Sequence, residues 1–183
     1  IIQQLCLSSH HHVVEVGAND GYLLQYFLNR GIPSTGIEPT ASTASVAQSK
    51  GIKIIPKFFG MKVASAMAAN GYHADLMIAN NVLAHVQDIN DFVRGFAILL
   101  KKEGVATFEF PHLIKLVDGN QFDTIYHEHY SYLSLTSVER ILGKNGLQVF
   151  DVEQLNTHGG SLRVYCQRFN TGRKSIANSV KTF

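Results

Sequence analysis

The chain alternates two hydrophobic periodicities up to residue 110, and that alternation limits its fold more than any single motif. Val13-Val14-Glu15-Val16 is a short β-branched run ending at Gly17, a strand signature. Between Gly21 and Asn29, Leu23, Leu24, Phe27 and Leu28 recur at helical spacing, and Gly31 closes the segment. The pattern then repeats. Residues 34–38 read as a strand stopped by Pro39, and 40–50 as a helix capped by Thr40 and closed by Gly51. Lys53 to Ile55 is a strand bounded by Pro56, residues 62–70 an alanine-rich helix and 75–79 a strand. Residues 91–100 form an amphipathic helix and 104–110 a strand ending at Pro111. Strands alternating with helices pair in parallel, with helices on both faces of the sheet. Right-handed crossovers leave only a few doubly wound orders.

A non-periodic, polar-aromatic segment follows over 112–135. Thr136 is then expected to cap a helix running to Asn145, with Glu139 completing a capping box and Gly146 ending it. The runs 147–155 and 161–168 flank a glycine-containing turn, so they read as an antiparallel hairpin. One domain is expected over 1–169, with 1–12 as a lead-in of helical character and 170–183 as a fraying polar tail leading towards further sequence.

Composition narrows the function classes. The chain has 183 residues, enough for one compact domain with a real core, and its apolar content opposes disorder. The net charge is only +2 and the lysines and arginines are scattered, so no nucleic-acid partner is expected. No apolar run reaches the roughly 18–20 residues of a membrane span, and no basic-then-apolar leader opens the chain, so neither a membrane partner nor a signal peptide is expected. Cys6 and Cys166 lie far apart and form no CxxC pair, which suits a reduced, cytoplasmic setting. Oligomeric state leaves no mark in the sequence. The run His10-His11-His12 leads straight into the first strand and is set apart from the site.

In doubly wound sheets, ligands sit at the carboxyl ends of the strands. That rule gathers residues 17–21, Glu38, Phe58, Phe59, residues 80–85 and the segment after Pro111 on one rim. The loop Gly17-Ala18-Asn19-Asp20-Gly21 can use positive φ and admit a ligand close to backbone. A dinucleotide fingerprint needs G-x-G-x-x-G, but position 19 is Asn and position 22 is Tyr. Glu38 nonetheless stands about 20 residues on, where an acid accepts bonds from ribose hydroxyls. An acid for ribose without the pyrophosphate glycines favours a nucleoside ligand lacking a diphosphate.

Tyr126-His127-Glu128-His129-Tyr130-Ser131-Tyr132 concentrates titratable groups on the same rim. His127 and His129 would share a side if extended, but a helical zinc motif needs H-E-x-x-H and position 131 is Ser. A His-x-His barrel site belongs to an all-β fold. No metal site is therefore expected, and moving a proton or lining a partner surface are the uses left open for the cluster.

Five stretches together resemble class I S-adenosylmethionine-dependent methyltransferases, and more narrowly the C-methyltransferases of nucleotide-linked 4-keto-deoxysugars. They are residues 14–21, Gly36-Ile37-Glu38-Pro39, Asn80-Asn81-Val82-Leu83-Ala84-His85-Val86, residues 126–130 and His158-Gly159-Gly160-Ser161-Leu162-Arg163. The first is generic to the superfamily; the last three in this order are much more specific. The resemblance implies a doubly wound α/β, Rossmann-like sheet of seven strands, mostly parallel with a C-terminal antiparallel hairpin. It implies S-adenosylmethionine as cofactor, with S-adenosylhomocysteine as product. Glu15, Gly17, Asn19, Asp20 and Gly21 would cradle its methionine part, Glu38 its ribose and Phe58 or Phe59 its adenine, while Asn80 and Asn81 would meet its amino-acid end. The partner would be a small molecule, a nucleotide-linked keto-sugar. His129 would take the α-proton, Glu128 and Tyr126 would orient it or bind substrate, and His85 would polarise the carbonyl or position the sugar. His127 falls at the variable position, and His158 and Gly159 would approach the substrate. Members of that family carry a cysteine-rich zinc module before this region and an α/β domain after it. This chain is thus expected to be a central part of a longer protein, binding cofactor more surely than it turns over.

Three other functions fit the alternation. Methylation at oxygen or nitrogen of another small molecule would leave the His/Glu/Tyr cluster surplus. A binding or scaffolding domain would keep the fold without turnover. An NAD-dependent oxidoreductase is opposed by the glycine pattern and the terminal hairpin.

Overall fold

The computed structural model describes residues 1–182. Its centre is one seven-stranded sheet in the order β3-β2-β1-β4-β5-β7-β6. The strands are β1 (Val13–Val16), β2 (Ser34–Ile37), β3 (Lys53–Ile55), β4 (Ala74–Asn80), β5 (Leu100–Pro111), β6 (Leu147–Leu155) and β7 (Ser161–Arg168). β1 pairs in parallel with β2 and β4, β2 with β3, and β4 with β5. Only β7 runs against its neighbours β5 and β6, as the hairpin reading required. The chain order reverses about β1, between β2 and β4, which makes their carboxyl ends the switch point.

Both sheet faces are covered, so the inner strands are buried along their length. Val13, Leu76, Ile78 and Val105 join one core with Leu24 and Phe27 of α1 (Leu24–Leu28) and Ala44 and Ala47 of α2 (Ala41–Ser49). The alternate residues Val14, Val16, Met77, Ala79, Phe108 and Phe110 join a second core. That core is completed by α3 (Met61–Ala69), α4 (Ile89–Leu99) and α6 (Leu135–Lys144). Gly36 is squeezed where the layers meet: a Cβ there would lie 2.5 Å from Ile54 Cδ1 and 2.7 Å from Ala18 Cβ. α4 starts at Asp88, whose side chain accepts the Asn90 and Asp91 N–H groups, and buries Phe92, Val93, Phe96 and Leu99. Asn145, buried at the end of α6, donates to Asn90 Oδ1 and accepts from Arg94 Nε, locking α6 onto α4.

Some local readings change. The α6 capping box is Ser134 with Ser137, two residues earlier than Thr136 with Glu139, because starting at 135 buries Leu135, Val138 and Leu142 together. β5 extends back to Leu100. The first helix is regular only over Leu24–Leu28. The lead-in forms turns over residues 2–6 rather than a helix. Segment 112–135 is not structureless: it holds α5 (Leu113–Asp118) and a 3₁₀ turn over Phe122–Thr124. The tail is anchored, with the Ala177 N–H donating to the Phe150 carbonyl and Ser179 Oγ to Asp151 ahead of α7 (Ser179–Thr182). Among the described residues no helix is long and apolar enough to cross a membrane.

Candidate active site

A cleft of about 700 Å³ opens at the switch point. Its floor is the exit of β1. Gly17 turns with φ +72° while its N–H donates to the Ile37 carbonyl at 2.8 Å, and a Cβ there would lie 2.6 Å from Val82 Cγ2. Glu38, buried at the exit of β2, accepts the Asn19 N–H at 3.0 Å on one carboxylate oxygen and the Thr40 N–H at 2.8 Å on the other. One side chain thus fixes both loops, and each oxygen keeps a lone pair for a ligand hydroxyl.

Phe58 and Phe59 divide their tasks. Phe59 packs edge-on to Phe92 and Phe96 at centroid distances of 5.7 and 5.2 Å, so it is largely a core residue. Phe58 is 83% exposed and is the free ring of the pair. Asn80 and Asn81 line the exit of β4. Asn81 adopts φ +55°; its N–H donates to the Glu109 carbonyl and its amide nitrogen lies 2.9 Å from His158 Nε2. Asn80 Oδ1, Asn81 Oδ1 and Glu15 Oε2 are buried with no hydrogen-bond partner. Burial pushes the Glu15 carboxyl up to about 8. Asn80 and Asn81 stand at the exit of β4 and Glu15 lies one residue inside the end of neighbouring β1, so a donor-rich ligand group there would satisfy these acceptors.

The aromatic-histidine cluster closes the other side. A 3₁₀ turn over Leu83–His85 carries His85 to the cleft, and the N–H groups of Tyr130 and Ser131 donate to the Ala84 carbonyl. The His85 and His129 rings pack at a 57° tilt with centroids 4.7 Å apart, and those of Tyr126 and His129 at a 38° tilt and 4.3 Å. His129 Nδ1 lies 2.8 Å from the Thr124 carbonyl, which can only accept, so Nδ1 carries the proton and Nε2 keeps its lone pair. The Tyr126 hydroxyl, 3.1 Å away, donates to that Nε2. Burial and the neighbouring His129 lower the pKa of His85, which favours the neutral ring.

The expected residues therefore separate. Gly17, Asn19, Glu38, Phe58, Phe59, Asn80, Asn81, His85, Glu128 and His158 line the cleft. Glu15 lies buried beneath the rim. Gly21 packs instead on Ile52 and Ala47, and Asp20 pairs with Lys50 at 2.8 Å, which holds its carboxyl below the usual range. His129 and Tyr126 stand behind His85 rather than in the cleft wall. Gly159 stays at the β6–β7 turn, where its carbonyl accepts from Gln121 Nε2. His127 is exposed.

Sequence reasoning missed a supporting network. Buried Glu109 accepts from Arg163 at 2.7 Å and from Thr157 Oγ1 at 3.1 Å, bracing the β6–β7 turn against β5. The signal was present in Arg163, which closes the last motif, but its partner lies 54 positions away in sequence.

Comparison with known proteins agrees with this architecture. A family model described as "Methyltransferase domain" matches residues 2–152. The chain is 36% identical over 164 residues to C-methyltransferase NovU of Streptomyces niveus, a match covering 90% of this chain and 39% of that protein. The chain thus spans about two-fifths of the length of that relative. Magnesium protoporphyrin IX methyltransferase from Synechocystis PCC 6803 with bound SAH superposes with a TM-score of 0.66 at 16% identity, covering 86% of this chain and 74% of that one. An S-adenosylmethionine dependent methyltransferase from Mesorhizobium loti gives 0.66 at 14% identity, covering 86% and 91%. At such identities the likeness is one of fold. With residues 2–152 matched by one family model, the chain belongs to the methyltransferase domain family.

Proposed function

We propose that this chain is the cofactor-binding and catalytic part of an S-adenosylmethionine-dependent C-methyltransferase, acting on a carbon beside the ketone of a nucleotide-linked deoxysugar. One juxtaposition carries the reading. A cleft edged by unsatisfied acceptors and the Glu38 carboxylate adjoins a histidine held in a base-competent tautomer. The 36% identity to a C-methyltransferase supports carbon as the acceptor.

The residues fit the cofactor. Glu15, Asn80 and Asn81 supply the acceptors that an α-ammonium requires, Glu38 has lone pairs for ribose hydroxyls, and Phe58 is free to flank a purine. When bound, S-adenosylmethionine supplies an electrophilic methyl group. His129 Nε2 would exchange the Tyr126 hydroxyl for the substrate's α-proton, while the Thr124 carbonyl keeps the ring oriented. Neutral His85 would stand against the developing enolate oxygen, and Glu128 and His158 would hold the sugar. The cytoplasm, where nucleotide-linked sugars are made, suits this activity.

The test is hydrogen exchange at the substrate's α-carbon in D₂O, followed by NMR with a keto-sugar nucleotide and no methyl donor. Wild-type protein should exchange that proton. His129→Gln should slow exchange by about 100-fold or more while leaving S-adenosylhomocysteine affinity by calorimetry unchanged. Exchange that survives in the variant removes His129 as the base. Methyl transfer with no exchange at all points to oxygen or nitrogen as the acceptor.

A further inference from the structure

A second cavity of about 660 Å³ lies outside the catalytic cleft, between edge strand β3 and helix α3. Its floor is apolar, formed by Ile55, Phe59, Val63 and Met67, with the small side chain of Ala66 leaving the groove open. Lys53, Lys57 and Lys62 stand around it, all exposed and none in an ion pair among the described residues. Lys53 Nζ sits 3.9 Å from the centre of the Tyr72 ring, a contact that holds its charge at the lip. The one acid on the lining, Asp91, is turned to the start of α3, where Oδ1 accepts the Met61 N–H at 3.3 Å. Nothing in the proposed methyl transfer uses these lysines or the groove between α3 and β3.

An apolar floor of this volume with a few polar groups at its edge has the make-up of a small-molecule site. Three cations on the edge determine the sign of the ligand. The floor is too apolar for a free phosphate, and the lysines leave a neutral hydrocarbon no advantage. We propose that this groove binds a small amphipathic anion, an aromatic or aliphatic body carrying a carboxylate or sulfonate, with its apolar part on Val63 and Met67 and its charge between Lys53 and Lys62. Lys57, Phe58 and Phe59 line both the groove and the catalytic cleft, so the two sites are neighbours with one shared wall.

The probe is 1-anilinonaphthalene-8-sulfonate, an aromatic sulfonate whose fluorescence rises in apolar surroundings. The folded protein should bind it saturably with one dominant site. Lys62→Glu and Lys53→Glu should each raise its dissociation constant by about tenfold. Ala66→Asp, which adds a negative charge at an exposed helix position without touching a lysine, should do the same. Far-UV circular dichroism checks that each surface variant stays folded. Glu38→Gln, in the catalytic cleft, should leave probe affinity unchanged. Binding that is indifferent to all three groove variants, or that responds to Glu38→Gln instead, overturns the proposal; so does absence of binding. None of these readings depends on whether the protein transfers methyl groups.

Discussion

Replacing Glu15 with glutamine would isolate an electrostatic penalty built into the first strand. The side chain is 1% exposed, and its Oε2 has no hydrogen-bond partner. Burial raises its carboxyl from 4.5 to about 8. The sign follows from proton counting. Between those two values the folded protein holds a proton that the unfolded chain has released, so this group makes stability fall as pH rises. Its favourable share is complete below pH 4.5 and is lost progressively up to about 8. Each pH unit inside the window is about 1.4 kcal/mol. Glutamine keeps the shape and never ionises. The stability advantage of Glu15→Gln over wild type should therefore grow by about 3 kcal/mol between about pH 5 and pH 7. Urea unfolding followed by circular dichroism at several pH values measures it, and taking the difference between the two proteins cancels every other titrating group. An advantage that stays constant across that range would mean that Glu15 is ionised in the folded state, and the argument from burial would fail.

The same carboxyl links to the proposed cofactor. An ammonium group settling over the ends of β1 and β4 would favour the carboxylate, so wild-type protein near pH 7 should release up to about one proton as cofactor binds. Glu15→Gln should release none from this position. Calorimetry in two buffers of different ionisation enthalpy reads the number directly.

Two further substitutions probe the frame around the cleft. Gly36→Ala puts a Cβ 2.7 Å from Ala18 Cβ, which has no rotamer to turn away, and should cost about 1–3 kcal/mol in urea unfolding; a neutral result would mean the layers can part there. Glu38→Gln leaves only one acceptor oxygen for the Asn19 and Thr40 N–H groups. S-adenosylhomocysteine affinity should fall by about 10- to 100-fold, corresponding to about 1–3 kcal/mol, and unchanged affinity would refute the two-loop role.

The middle of the parallel sheet was legible because Val13–Val16 and residues 76–79 are nearly unbroken apolar runs. Val13–Val16 and Ala74–Asn80 are buried on both faces, so their signal is continuous and hard to misplace. The start of α6 was not so marked. The sequence pattern points to Thr136-x-x-Glu139, whereas the joint burial of Leu135, Val138 and Leu142 sets the start at Ser134, whose partner Ser137 lacks the usual Glu or Gln signature. β5 outran its expected start because Lys101, Lys102 and Glu103 are exposed at its beginning and interrupt the apolar run.

The site divides along the same physical line. Tyr126 and His129 are three residues apart, so their pairing is local and the sequence could suggest it. The ring packed against His129 belongs to His85, which arrives on the 3₁₀ turn after β4. What joins them is a pair of backbone bonds, from the Tyr130 and Ser131 N–H groups to the Ala84 carbonyl. Backbone bonds carry no residue signature, since every non-proline residue has the same donor and acceptor. The Glu109–Arg163 brace is legible only after β5 and β7 are paired, because their register alone puts these residues opposite each other. Motifs within one loop therefore announce the chemistry available at the rim. Which groups meet there is decided by strand order and register, so a substitution that shifts the β5–β7 register should misplace the Asn81–His158 contact without touching either residue.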